Sequence, residues 1–120
     1  MFTVPNPHLH RGKVVDNGHC VRLAQVHGNA PHTSHWRRGS KVRGGNVVPG
    51  TVIATFSPAG RYQNRTDGAS HAAVFVAEEP AGLRVWDQWR GQPVHQRTIR
   101  FRGGQGRASN DGDAFHVVVT

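Results

Sequence analysis

The sequence predicts an α+β fold, with an N-terminal helix packed on a four- to six-stranded antiparallel sheet. Three observations predict it. First, residues 17–27 are the one stretch with clear helical spacing; within it Cys20, Leu23 and Ala24 fall on one face. Second, short valine-rich and β-branched runs recur over 51–56, 71–76, 83–89, 94–102 and 114–119, each bounded by turn residues. Third, fifteen glycines and seven prolines in 120 residues break the chain too often for further long helices. The length suits one compact domain over 1–120, with residues 1–16 as an arm lying over it.

In chain order, Asn17 is the expected helix cap, which puts Cys20 in the first turn. Gly28-Asn29-Ala30-Pro31 stops the helix. Residues 32–39 read as a second short helix or a loop, and 39–50 as loop. The segment 57–70 is a long polar loop between strands, and loops of that length in small domains are usually functional. Strands 71–76 and 83–89 are joined by Glu78-Glu79-Pro80-Ala81-Gly82, as expected of an antiparallel hairpin. Gly91-Gln92-Pro93 turns the chain into 94–102, with Ile99 and Phe101 on one face and Arg100 and Arg102 on the other. A Gly/Asn/Asp-rich loop over 103–113 leads to the last strand.

The formal charge of +8, carried almost wholly by arginine, calls for an anionic partner or surface, such as nucleic acid or a cell wall. A single cysteine excludes an internal disulfide. No apolar run reaches the roughly eighteen residues of a membrane span. The start, Met1-Phe2-Thr3-Val4-Pro5-Asn6-Pro7, lacks the pattern of a classical signal peptide, so action outside the cytoplasm would need specialised secretion.

Cys20 is the candidate nucleophile. At a helix start, unpaired N–H groups and the helix dipole favour thiolate; the alternative is a small buried hydrophobe. A nucleophile needs a base and a group that orients the base. If Ala77 faces Leu83 across a 78–82 loop, Ala73 falls opposite Asp87 and His71 lies one diagonal step away. Both residues are odd-numbered and share a face with Ala73, Phe75, Leu83 and Val85, the face the helix is expected to cover. A slip of one residue would separate them. His71 could instead be an ordinary strand-end histidine, and Asp87 could pair with one of thirteen arginines.

Cysteine at a helix start, histidine at a strand start about fifty residues on and an acid on the next strand form the order of papain-like peptidoglycan amidases. The segments Gly18-His19-Cys20-Val21, Gly50-Thr51-Val52-Ile53-Ala54-Thr55-Phe56, His71-Ala72-Ala73-Val74-Phe75 and Val85-Trp86-Asp87-Gln88-Trp89 resemble the compact NlpC-type and CHAP-type branch. More narrowly, they resemble the small amidase effectors delivered by type VI secretion. The resemblance implies a papain-like fold and hydrolysis of an amide bond in a peptidoglycan stem peptide or crosslink. It implies Cys20 as nucleophile, His71 as base and acid, and Asp87 as the residue that orients His71. It also implies a bacterial toxin made in the cytoplasm and acting in the periplasm or wall, and a cognate immunity protein as partner. No cofactor or metal is called for. Tyr62, Trp36 and Trp89 are candidate groove walls. His19 departs from the CHAP-type pattern, in which a glutamine often precedes the cysteine and helps hold the oxyanion; the Cys20 N–H would then supply one donor.

Two other readings compete. The charge and the Arg-Gly spacing over 97–107 fit a non-enzymatic nucleic-acid-binding domain, although basic and aromatic residues do not interleave on one strand face. His8/His10 and His32/His35 could hold a metal, but no cysteine pair or nearby acid completes a zinc set.

Overall fold

The computed structural model describes residues 1–120. Helix α1 spans Cys20–His27 and strands β1–β6 span Arg37–Lys41, Val52–Thr55, Ala72–Glu79, Gly82–Trp89, Gln92–Arg100 and Phe115–Val119. They form one six-stranded antiparallel sheet in the order β1-β6-β2-β3-β4-β5. The α+β expectation holds, at the upper end of the strand count.

The helix begins later than expected. Its N-cap is His19, without a side-chain cap, and Cys20 is the first helical residue. Asn17 instead accepts the His19 N–H on its side-chain oxygen at 3.0 Å, closing a turn just before the helix. Gly18 sits at φ +85°, a left-handed conformation that glycine adopts freely, and this aims the chain into the helix. Gly28 ends the helix where expected. The 32–39 segment resolves into a 3-10 turn over Thr33–His35 followed by β1, an edge strand whose polar sequence, Arg-Arg-Gly-Ser-Lys, hides it from pattern reading.

Both sheet faces are buried, and residue parity divides them. Even-numbered Val52, Ala54, Ala72, Val74, Trp86 and Val118 pack with Leu23 and Ala24 of α1. Odd-numbered Ile53, Ala73, Phe75, Leu83, Val85 and Ile99 pack with Phe115 and Val117. The helix therefore covers the even face, not the expected odd one. The odd face closes on itself: the sheet curls until Ile99 of β5 shares a cluster with Phe115 of β6, four strands away. Because the sheet is its own cover on that side, α1 is left to the other.

The β3–β4 hairpin turns through Pro80-Ala81 alone, with Glu79 opposite Gly82, rather than through five residues. A bulge between Phe75 and Ala77 then shifts the register, so that Phe75 faces Val85 and Val74 faces Trp86. Continued outward, that pairing sets Ala73 against Asp87, as the sequence predicts. Gly82 needs its missing side chain, since a Cβ there would lie 2.3 Å from the Ile99 carbonyl oxygen of β5. Pro93 is tolerated because β5 is an edge strand.

Gln88, fully buried on the helix side of β4, holds the chain that enters α1. Its Oε1 accepts the Val15 N–H at 2.9 Å, and its Nε2 donates to the Val15 and His19 carbonyls at 3.0 and 2.9 Å. The side chain is thus the backbone partner of a segment that has no strand or helix of its own. Gln88→Leu should keep the volume but strand these groups, lowering unfolding free energy by roughly 3 kcal/mol in chemical denaturation; an unchanged midpoint would contradict this role.

Candidate active site

Four segments converge at the end of the sheet where β3 begins and β4 ends. The 15–19 turn presents Cys20, the first residue of α1. The residue before β3 is His71, whose backbone is clamped by Thr55 of β2. The Thr55 hydroxyl oxygen accepts the His71 N–H, and the Thr55 N–H donates to the His71 carbonyl, both at 3.0 Å. The third and fourth segments are β4 with Asp87 and β5 with His95 and Arg97.

His71 is 5% exposed and Asp87 is wholly buried. His71 Nε2 lies 2.7 Å from Asp87 Oδ2. Nδ1 is then the ring nitrogen left for Cys20, which lines the same cleft as His71. The rings of Trp89 and Phe115 stand edge-on to the imidazole at 6.1 and 6.3 Å and fix its plane. Helix and histidine meet although α1 covers the opposite face. Cys20 is at the helix tip and packs against the cluster that includes Ala72, the first residue of β3 at the sheet end.

Burial pushes the Cys20 thiol up, but the His71 hydrogen bond and charge, the Tyr62 hydroxyl and the Ala72 N–H outweigh it, and the net shift is downward. Burial alone would lower His71; its bonds to Asp87 and Cys20 dominate and raise it to about 9. Burial opposes ionisation of Asp87, and His71 and Arg97 overcome it, so the carboxyl sits below its ordinary range. Burial and the facing sulfur push Tyr62 up, so its hydroxyl stays protonated and can donate to the sulfur at 3.5 Å. The arrangement favours a thiolate facing an imidazolium.

The other expected site residues divide. Trp89 (40% exposed) and His71 line a cleft of about 380 Å³, and Tyr62 lines a second of about 290 Å³; Cys20 and His19 border both. Trp36 is not a groove wall. It is fully buried behind Tyr62, ring centroids 5.1 Å apart, and its indole N–H donates to the Pro31 carbonyl.

Arg97 is the residue that sequence reasoning missed. Its Nε donates to Asp87 Oδ2 at 2.9 Å, its guanidinium reaches within 3.4 Å of His71 Nε2, and it lies 5.0 Å over the Trp89 ring. The alternative that Asp87 pairs with an arginine is realised alongside the histidine pair. A signal existed: Arg97 has the parity of Ile99, so it is a charge on the apolar face of its strand. His95, directly opposite Asp87, brings Nε2 to 3.0 Å from Oδ1, out of line for a hydrogen bond.

A family model described as domesticated amidase effector 2 matches residues 1–118. The chain belongs to this family. It is 34% identical over 119 residues to a type VI secretion amidase effector 2 protein of Salmonella typhi, covering 88% of each chain. It is 35% identical over 121 residues to a domesticated amidase effector 2 of Ixodes scapularis, covering 95% of this chain and 80% of that one. A solved structure of type 6 secretion amidase effector 2 superposes with a TM-score of 0.81 at 33% identity, over 97% of this chain and 92% of the other. Membership of an amidase family bears out the sequence resemblance.

Two outcomes should follow from the electrostatics. Iodoacetamide should alkylate Cys20 well below the pH of about 8.5 at which an ordinary thiol reacts, and His71→Ala should abolish that low-pH reaction. Arg97→Gln should lower kcat on the order of tenfold, through lost orientation. It should also move the high-pH limb of the kcat profile upward, because a cation beside His71 is gone; Arg97→Lys should keep the limb in place.

Proposed function

We propose that Cys20, His71 and Asp87 hydrolyse an amide bond of a peptidoglycan stem peptide or crosslink through a thioester. The family makes the enzyme a peptidoglycan amidase; the roles of these residues are the further step. One observation carries it: a single buried imidazole bonds a fully buried carboxylate at 2.7 Å and lines one cleft with the only sulfhydryl, whose pKa it lowers.

In this mechanism the Cys20 thiolate attacks the carbonyl carbon. The tetrahedral intermediate collapses as the C–N bond breaks and the His71 imidazolium gives its proton to the leaving nitrogen. A water molecule then attacks the thioester, His71 accepts its proton, and the sulfur leaves with a carboxylic acid released. Asp87 holds the tautomer that places a proton on Nε2 and balances the imidazolium charge. The oxyanion falls near the free N–H of Cys20 at the helix start, where the dipole favours negative charge. The Tyr62 hydroxyl, already against the sulfur, supplies the donor that a preceding glutamine supplies in CHAP-type enzymes.

Delivery by type VI secretion places this chemistry at the wall of a target cell, and a cognate immunity protein would act by covering the two clefts that meet at Cys20. Digestion of purified peptidoglycan with analysis of the released muropeptides by mass spectrometry tests the reading and identifies the bond. Cys20→Ala and His71→Ala should each lose at least ~10³-fold in rate with unchanged circular dichroism, and Asp87→Asn should lose less. Tyr62→Phe should lower kcat on the order of tenfold or more with little change in KM, as loss of an oxyanion donor does. Full activity of Cys20→Ala would end the proposal.

A further inference from the structure

The cleft on the His71 side of Cys20 is walled by four arginines, Arg65, Arg90, Arg97 and Arg107, and no acidic residue lines it. Two of the four are neutralised from outside. Asp67 holds Arg65 at 2.5 Å, and Asp87 holds Arg97 at 2.9 Å. Arg90, at the β4–β5 turn, and Arg107, on the loop before β6, have no carboxylate within ion-pair distance. Arg107 is nonetheless held. Its stem lies on Gly68, at φ +89°, where a Cβ would sit 2.3 Å from Arg107 Cδ. The Ser109 N–H donates to the Gly68 carbonyl at 3.0 Å beside it. The two long loops are therefore joined at the one place that sets Arg107 over the cleft.

The mechanism says which half of the substrate lies there. His71 delivers its proton to the leaving nitrogen, so the fragment that keeps the amine must sit on the His71 side of the sulfur. The second cleft, lined by Asn17, Val21, Tyr62 and Asn64 and not by His71, is left for the acyl half. Arg90 and Arg107 line one cleft, and their uncompensated guanidinium groups attract an anion there. Their planar forks match a carboxylate.

We propose that Arg90 and Arg107 make this cleft select substrates whose leaving-amine fragment carries a free carboxylate close to the scissile bond. The inference rests on the hydrolase reading and deepens it. Neutral amides of the same shape then lack the ion pairs that seat them. Raised salt weakens the discrimination, since both arginines are exposed at the rim.

The test uses pairs of synthetic muropeptides containing the bond identified in sacculi, identical except that the residue supplying the leaving amine bears a carboxylate or a carboxamide. Wild-type enzyme should prefer the carboxylate by about tenfold or more in kcat/KM, mostly through KM, as expected of an ion pair made in ground and transition states alike. In R90Q/R107Q that ratio should fall toward one, and R90K/R107K should restore part of it. Equal cleavage of the two peptides by wild type overturns the inference while leaving the hydrolase reading intact. A preference that survives R90Q/R107Q overturns the assignment to these arginines. A preference keyed instead to a carboxylate on the acyl half overturns the orientation. Absence of Cys20-dependent cleavage of either peptide overturns both readings.

Discussion

The site depends on one buried charge. Asp87 has no contact with water, yet its carboxyl sits below the ordinary carboxylate range. An isolated carboxylate in that place would cost several kcal/mol and would take up a proton instead. It stays ionised because His71 and Arg97 both bind Oδ2. That charge raises His71, and the charged imidazole in turn holds down the Cys20 thiol. The reactivity of the sulfur is thus set by an acid it never touches. Because Arg97 shares the load, Asp87 does not present a full bare charge to the ring, which suits the proton release that the proposed mechanism asks of His71.

The neighbourhood of this charge is built from backbone geometry. On a sheet, a residue has one direct neighbour and two diagonal ones on each adjoining strand. Asp87 uses one diagonal step toward β3 for His71 and another toward β5 for Arg97, with His95 directly opposite. The bulge in β3 makes this possible. The pairing at the turn, Glu79 with Gly82, would by itself run on to set Asp87 against Val74, on the face away from His71. One extra residue between Phe75 and Ala77 restores the parity. Thr55 then fixes His71 from β2, and Gln88 fixes the Cys20 turn from the reverse side of β4. Adjacent residues Asp87 and Gln88 serve the two partners from opposite faces of one strand.

Legibility followed locality. The order of strands along the chain, the end of the helix at Gly28 and the shared face of His71 and Asp87 come from turn residues and period-two alternation, which short windows of sequence contain. The 79–82 turn and the bulge were not visible separately, yet together they produce the offset expected of a longer loop. Edge strand β1 was not legible, since Arg-Arg-Gly-Ser-Lys has neither alternation nor β-branched residues and is a strand only because β6 lies beside it. Trp36 reads as a candidate groove wall, but the Pro31 carbonyl satisfies its indole and the core takes the ring.

The sequence by itself determined the chemical inventory: one sulfur in the first turn of the only helix, a histidine and an aspartate at matching parity on paired strands, and an excess of arginine. These are properties of composition and of spacing along a few residues. Only the tertiary structure decided which face the helix covers, that Arg97 joins the buried pair, that Tyr62 touches the sulfur, and which arginines border the cleft. Those contacts link segments tens of residues apart. They depend on how far the sheet curls and how two long loops meet, and no local rule of spacing or propensity encodes either.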